Sequence, residues 1–151
     1  MMMKRTFQFF SLVVVMLFST AVMSQDAPKM IDKAVVKTLN KTPNLGFGVS
    51  EERPLRSAFM MYEQMKQSGV KFDNYEIVVW SMVVKNITED KDLFEFISKR
   101  MDDGITVSVC SVAMDKLGVK KEDLPKGIQV VDNAYVRIFE LQALGYNFLI
   151  P

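Results

Sequence analysis

Histidine is absent from this chain, and cysteine occurs once, at Cys110. Each scarcity removes chemistry. Without histidine there is no Ser-His-Asp triad, no Cys-His pair and no histidine metal centre. One cysteine cannot build a zinc cluster or a Cys-X-X-Cys redox motif, and it cannot close a disulfide within the chain. Gly46-Phe47-Gly48-Val49-Ser50-Glu51 begins like a dinucleotide fingerprint but lacks the third glycine. Glu51 and Glu52 would repel a pyrophosphate, and no Walker-type sequence occurs. Neither a cofactor nor a metal is therefore expected. An excess of one charge is also missing, with 19 Lys and Arg against 18 Asp and Glu. That balance gives no electrostatic footprint for nucleic acid. The acidic residues form no catalytic pair. Glu89-Asp90 and Asp102-Asp103 flank one predicted helix and read as solvated face.

What is present begins with residues 1–24. Lys4 and Arg5 precede an apolar run from Phe7 to Phe18, interrupted only by Gln8 and Ser11. Ser19, Thr20, Ala21 and Ser24 then supply small residues. This is the pattern of a secretory signal peptide, with cleavage after Ser24 and Val22 at the third position back. The run is shorter than the roughly 20 residues a membrane span needs, and no cysteine follows it to carry a lipid anchor. Loss of Lys4 and Arg5 turns 19 basic residues into 17 against 18 acidic ones, a net charge of −1. Export to an oxidising compartment, such as a bacterial periplasm, is the expectation, with no membrane attachment after cleavage. An apolar content of 49% with 25% charged residues fits a folded domain.

Residues 25–43 read as a lead-in segment with a short amphipathic helix, ended by Pro43. Residues 44–151 repeat one theme: an apolar run, a helical stripe, a glycine. Leu45–Val49 is the first predicted strand. Leu55, Ala58, Phe59, Tyr62 and Met65 form the stripe of the helix after it, stopped by Gly69. Tyr75–Trp80, extending towards Val84, is the second strand, and its unbroken apolar centre argues for burial on both faces. Thr88 is placed to cap a helix carrying Leu93, Phe94, Ile97 and Met101, closed by Gly104. Ile105–Cys110 is the third strand, followed by a short helix to Gly118. Ile128–Val131 is the fourth strand. Asp132 or Asn133 caps a helix with Ala134, Ile138, Leu141 and Leu144, and Tyr146–Ile150 is the last strand. Alternating strands and helices predict a three-layer α/β/α domain with a mainly parallel five-stranded sheet.

Cys110 is the candidate catalytic residue. It stands where a buried strand passes into a helix, at the carboxyl edge of the sheet, where open α/β sheets bind ligands. The helix N-terminus favours a thiolate over a thiol. Ser111, Trp80, Ser81 and Ser50 are candidate lining residues of the same crevice. The alternative is a cysteine that serves as a small buried hydrophobe.

Specific residues carry a resemblance. Gly104-Ile105-Thr106-Val107-Ser108-Val109-Cys110, then Leu117-Gly118-Val119 and Glu122-Asp123-Leu124-Pro125, resembles the DsrE/DsrF-like family. So does the ending, with Gly127-Ile128-Gln129-Val130-Val131, Leu141-Gln142-Ala143-Leu144-Gly145-Tyr146 and the closing Pro151. Gly48-Val49-Ser50-Glu51 running into Pro54-Leu55-Arg56 resembles the family's first strand and helix start. The resemblance spans about residues 45 to 151. It implies a trimer or hexamer and, in some members, sulfur relay through a cysteine persulfide at the position of Cys110, with a protein sulfur donor or acceptor. The chain departs from the family at Val112, where many relatives carry a polar residue, and at Trp80-Ser81-Met82, where many carry histidine-glycine. Three functions follow: a persulfide carrier, a non-enzymatic oligomeric binding module with an inert cysteine, and a redox-responsive protein linked between subunits through Cys110.

Overall fold

The structure is a computed structural model that describes residues 29–101 and 104–151. The predicted signal peptide and Asp102-Asp103 lie outside the described residues. Within them the chain order is α1 (Lys33–Leu39), β1 (Asn44–Val49), α2 (Glu52–Gln67), β2 (Asn74–Val79), α3 (Val83–Glu89), α4 (Lys91–Ser98), β3 (Thr106–Cys110), α5 (Ser111–Leu117), β4 (Gln129–Val131), α6 (Ala134–Ala143) and β5 (Asn147–Leu149). A short 3-10 turn, Lys121–Asp123, joins α5 to β4.

The five strands pair in the order β4-β3-β2-β1-β5, and every pairing is parallel. The architecture is the three-layer α/β/α sandwich that the alternation predicts. The two helical layers are unequal, and topology explains why. From β1 to β4 each connection steps one strand in the same direction. Right-handed crossovers then put α2, α3, α4 and α5 on one face. The last connection runs back across the sheet from β4 to β5, so α6 must cross on the opposite face.

Side-chain alternation along the strands separates the two cores accordingly. Phe47, Val49, Ile77, Val79, Val107 and Val109 join Leu55, Phe59, Ile87, Leu93 and Ile97 in the larger cluster. Val78 and Cys110 point the other way and pack with Ala134, Ile138 and Leu141 of α6. That second core is thin. Its helix turns Tyr135, Val136, Phe139 and Leu144 outward, and Phe139 keeps 71% of its surface exposed.

Two predicted boundaries are corrected. The second strand stops at Val79, and Val83-Val84 belong to α3, an additional helix whose buried face is Val83, Val84 and Ile87. Thr88 does not cap the following helix, because its hydroxyl donates to the Lys85 carbonyl within α3. Asp90 caps α4 instead, its Oδ1 accepting the N–H groups of Asp92 at 2.8 Å and Leu93 at 3.1 Å. Of the two caps proposed for α6, Asn133 fills the role.

The thin face also holds the buried charges. Glu76, in the middle of β2, faces α6 and is 2% exposed. A carboxylate cannot stay ionised there without partners. Arg137 supplies them in a fork, Nε donating to Oε1 at 2.8 Å and Nη2 to Oε2 at 2.7 Å. Ser108 of β3 donates its hydroxyl to Oε1 at 2.7 Å. The hydrogen bond to Glu76 holds the Arg137 guanidinium firmly protonated. The pair ties α6 to the centre of the sheet.

Candidate functional site

β3 and β4 are neighbours, yet the helices that follow them leave to opposite faces. This makes the carboxyl end of β3 and β4 the topological switch point, where the diverging chain opens a crevice. Cys110 is the last residue of β3 and immediately precedes α5. A cavity of about 400 Å³ opens there, within the size range of small-molecule sites. Trp80, Ser81 and Met82 wall it from the end of β2, Val112, Ala113, Lys116 and Leu117 from α5, and Asn133, Ala134 and Tyr135 from the start of α6.

Each wall has a local cause. α5 ends in Gly118, whose φ of 69° is left-handed and turns the chain away after two turns. This keeps Lys116 close to the cavity. At α6, Asn133 Oδ1 accepts the N–H of Tyr135 at 2.9 Å and of Val136 at 3.4 Å. The Ala134 N–H is thereby left for Cys110, and it donates to the thiol sulfur at 3.4 Å. Cys110 is buried at 6% exposure and free of any disulfide. The sulfur thus lies in the cavity wall with one backbone donor directed at it, so charge developing on sulfur would meet that N–H. Trp80 and Tyr135 face each other at 5.7 Å between ring centroids, with a 57° tilt, and form an aromatic wall.

Ser81 has a φ of 70°, left-handed for a residue with a Cβ. Such strain costs about 1–2 kcal/mol and concentrates at binding sites. Ser81→Gly is expected to raise stability by about 1 kcal/mol, read by urea denaturation. An unchanged or lowered midpoint would show that the Ser81 side chain compensates the strain.

Trp80 and Ser81, read from the sequence as crevice residues, share this cavity with Cys110. Ser111 and Ser50 are corrected, since neither lines it. The Ser111 hydroxyl is drawn away to donate to the Asp132 carbonyl at 2.9 Å. Ser50 follows β1, on the far side of β2 from β3, and the Trp80 ring lies close over Gly48 between them. Lys116, Asn133 and Tyr135 also line the cavity, and the sequence does not mark them as crevice residues. They stand 6, 23 and 25 positions after Cys110, and only the strand order joins them. Asn133 carries a sequence signal only as a candidate cap of α6. Among the described residues no group of histidine, cysteine and carboxylate side chains could hold a metal. No described helix is long and apolar enough to cross a membrane.

An open parallel α/β sheet with a small cavity and a thiol at its switch point defines the class of this protein. No protein-family model and no curated protein matches the chain. Solved structures do share the fold. A protein of unknown function from Methanobacterium thermoautotrophicum, MTH1491, superposes with a TM-score of 0.60 at 20% identity, over 71% of this chain and 96% of that one. A conserved protein of unknown function from Bacteroides thetaiotaomicron, BT1422, does so with a TM-score of 0.60 at 19% identity, over 74% and 97%. These likenesses speak for the fold.

Proposed function

We propose that this chain is an exported DsrE-like sulfur carrier that holds sulfane sulfur on Cys110. The observation that carries the reading is the seat of the Cys110 sulfur, in the wall of the switch-point cavity with the Ala134 N–H donating to it at 3.4 Å. In the reaction the Cys110 thiolate attacks the outer sulfur of a donor persulfide, R–S–SH. The new S–S bond forms as the donor's S–S bond breaks, leaving Cys110–S–SH and the donor thiolate R–S⁻. Sulfur passes on by the reverse exchange with an acceptor thiol, and no cofactor or net oxidation is needed. Absence of histidine is no obstacle, because thiolate exchange needs no separate base once the thiol has ionised.

Alkylation of the folded protein tests the reading. Cys110 is expected to react with iodoacetamide under native conditions, faster as pH rises. Protection until denaturation would instead support the binding module with an inert cysteine, which the 6% exposure of Cys110 favours.

The same reading includes self-association as a trimer or hexamer. Its support is the outward face of α6, where Tyr135, Val136 and Phe139 are exposed on a helix already apolar on its inner side. Large apolar side chains exposed together on one helix face mark an interaction surface. Sedimentation at several concentrations is expected to show the oligomer, and a monomer throughout would contradict it.

A further inference from the structure

The lining of the Cys110 cavity is selective in its charge. Its walls are apolar and aromatic at Trp80, Met82, Val112, Leu117 and Tyr135, and among the described residues no Asp or Glu takes part. Lys116 is the single charged lining residue among those described. The second donor is the Asn133 amide. Its oxygen is committed to the α6 cap, so its NH2 group is the part left for a ligand. Ammonium and amide N–H groups are donors only. The cavity therefore offers a flat apolar enclosure beside donors that include Lys116, Asn133 and the Ser81 hydroxyl, with no acidic acceptor, which is the complement of a small organic anion.

We infer that the switch-point cavity binds a small organic molecule with an apolar, ring-sized body and one carboxylate, the carboxylate paired with Lys116 and the body against Trp80 and Tyr135. The sulfur it delivers to Cys110 is the outer sulfur of a persulfide borne by that molecule, a clause that rests on the relay reading. A cationic thiol meets Lys116 with like charge, whereas inorganic polysulfide, which lacks the body that the aromatic wall encloses, can still load Cys110 but without the selectivity.

Trp80 makes the test direct, because it is the only tryptophan in the chain and it lines the cavity. Its fluorescence is titrated in the full chain with phenylacetate, benzyl alcohol and benzylammonium, which share one ring and differ in charge. Phenylacetate is expected to give a saturable change. Its affinity should exceed that of benzyl alcohol by about three- to fivefold, the scale of one partly exposed charge pair. Benzylammonium should bind weakest. Lys116→Gln should remove the preference for phenylacetate over benzyl alcohol, and Lys116→Arg should keep it. Equal affinities for the three probes, no saturable change, or a preference unaltered in Lys116→Gln would each overturn the inference. Failure here and failure of the relay are separable. Phenylacetate selectivity with a Cys110 that takes up no sulfur upholds the ligand class and removes the relay. Sulfur uptake without the selectivity does the reverse.

Discussion

Arg137→Ala is expected to lower the stability of the domain by about 3 kcal/mol or more, the scale for removing one member of a buried pair. Glu76 is the reason. Its side chain is 3% exposed, and Arg137 meets both carboxylate oxygens. Without the guanidinium the Ser108 hydroxyl is the one side-chain partner left to it among the described residues, and a buried charge is left uncompensated. Arg137 itself keeps 23% exposure, so water can reach the site and the low end of the 3–5 kcal/mol range applies. The loss is large against the roughly 5–15 kcal/mol that holds an ordinary domain folded. The pair joins α6 to β2, so the thin face should loosen first. Chemical denaturation of Arg137→Ala beside the double variant Glu76→Leu with Arg137→Met checks the cause. The double variant should recover most of the loss, because replacing both charges by apolar groups of similar volume is often neutral. A single-variant loss below about 1 kcal/mol, the ceiling for a surface pair, would show that Glu76 is not isolated from water.

Gly46→Val should be the second costly change. Gly46 pairs with Phe148 across the β1–β5 ladder, and a Cβ on Gly46 would overlap the Phe148 ring. The same ring lies 3.0 Å from where a Cβ on Gly48 would stand, with Ile150 and Trp80 at 3.1 Å. The two glycines form a floor on which Phe148 and Trp80 rest, covering the part of the thin face that α6 does not reach. Overpacking of this kind costs about 1–3 kcal/mol. Here it falls on β5, a three-residue edge strand. Combining the change with Phe148→Ala should cost less than the sum of the two single changes, since the ring is what the added methyls strike. Strict additivity would place the strain elsewhere. The glycines that begin like a nucleotide motif thus have a packing reason on this sheet.

The strands and long helices were readable because burial dictates their residues. Ile77-Val78-Val79 is continuous since β2 lies in the middle of the sheet with a core on each side. The helix α3 was missed because Val83 and Val84 follow that strand closely and merge with its apolar run. The turn that separates them is made by Ser81, in a conformation usually marked by glycine. Glu76 is itself a sequence signal, since a carboxylate inside an apolar strand requires a partner. Its partner lies 61 positions away and could not be named before the fold was known. For the candidate site, Cys110, Trp80 and Ser81 were legible as strand-end residues. The crevice itself depends on α5 and α6 leaving neighbouring strands to opposite faces, which follows from strand order alone.

Sulfur uptake by the folded protein tests the central claim most directly. The protein is exposed to polysulfide, freed of excess reagent and weighed by mass spectrometry. Wild type is expected to gain about 32 Da, one sulfur atom as persulfidation requires. The gain should vanish on treatment with a thiol acceptor and be absent from Cys110→Ser. A wild-type mass that stays unchanged while the denatured protein takes up sulfur would contradict the account, leaving Cys110 as a buried residue of the α6 core.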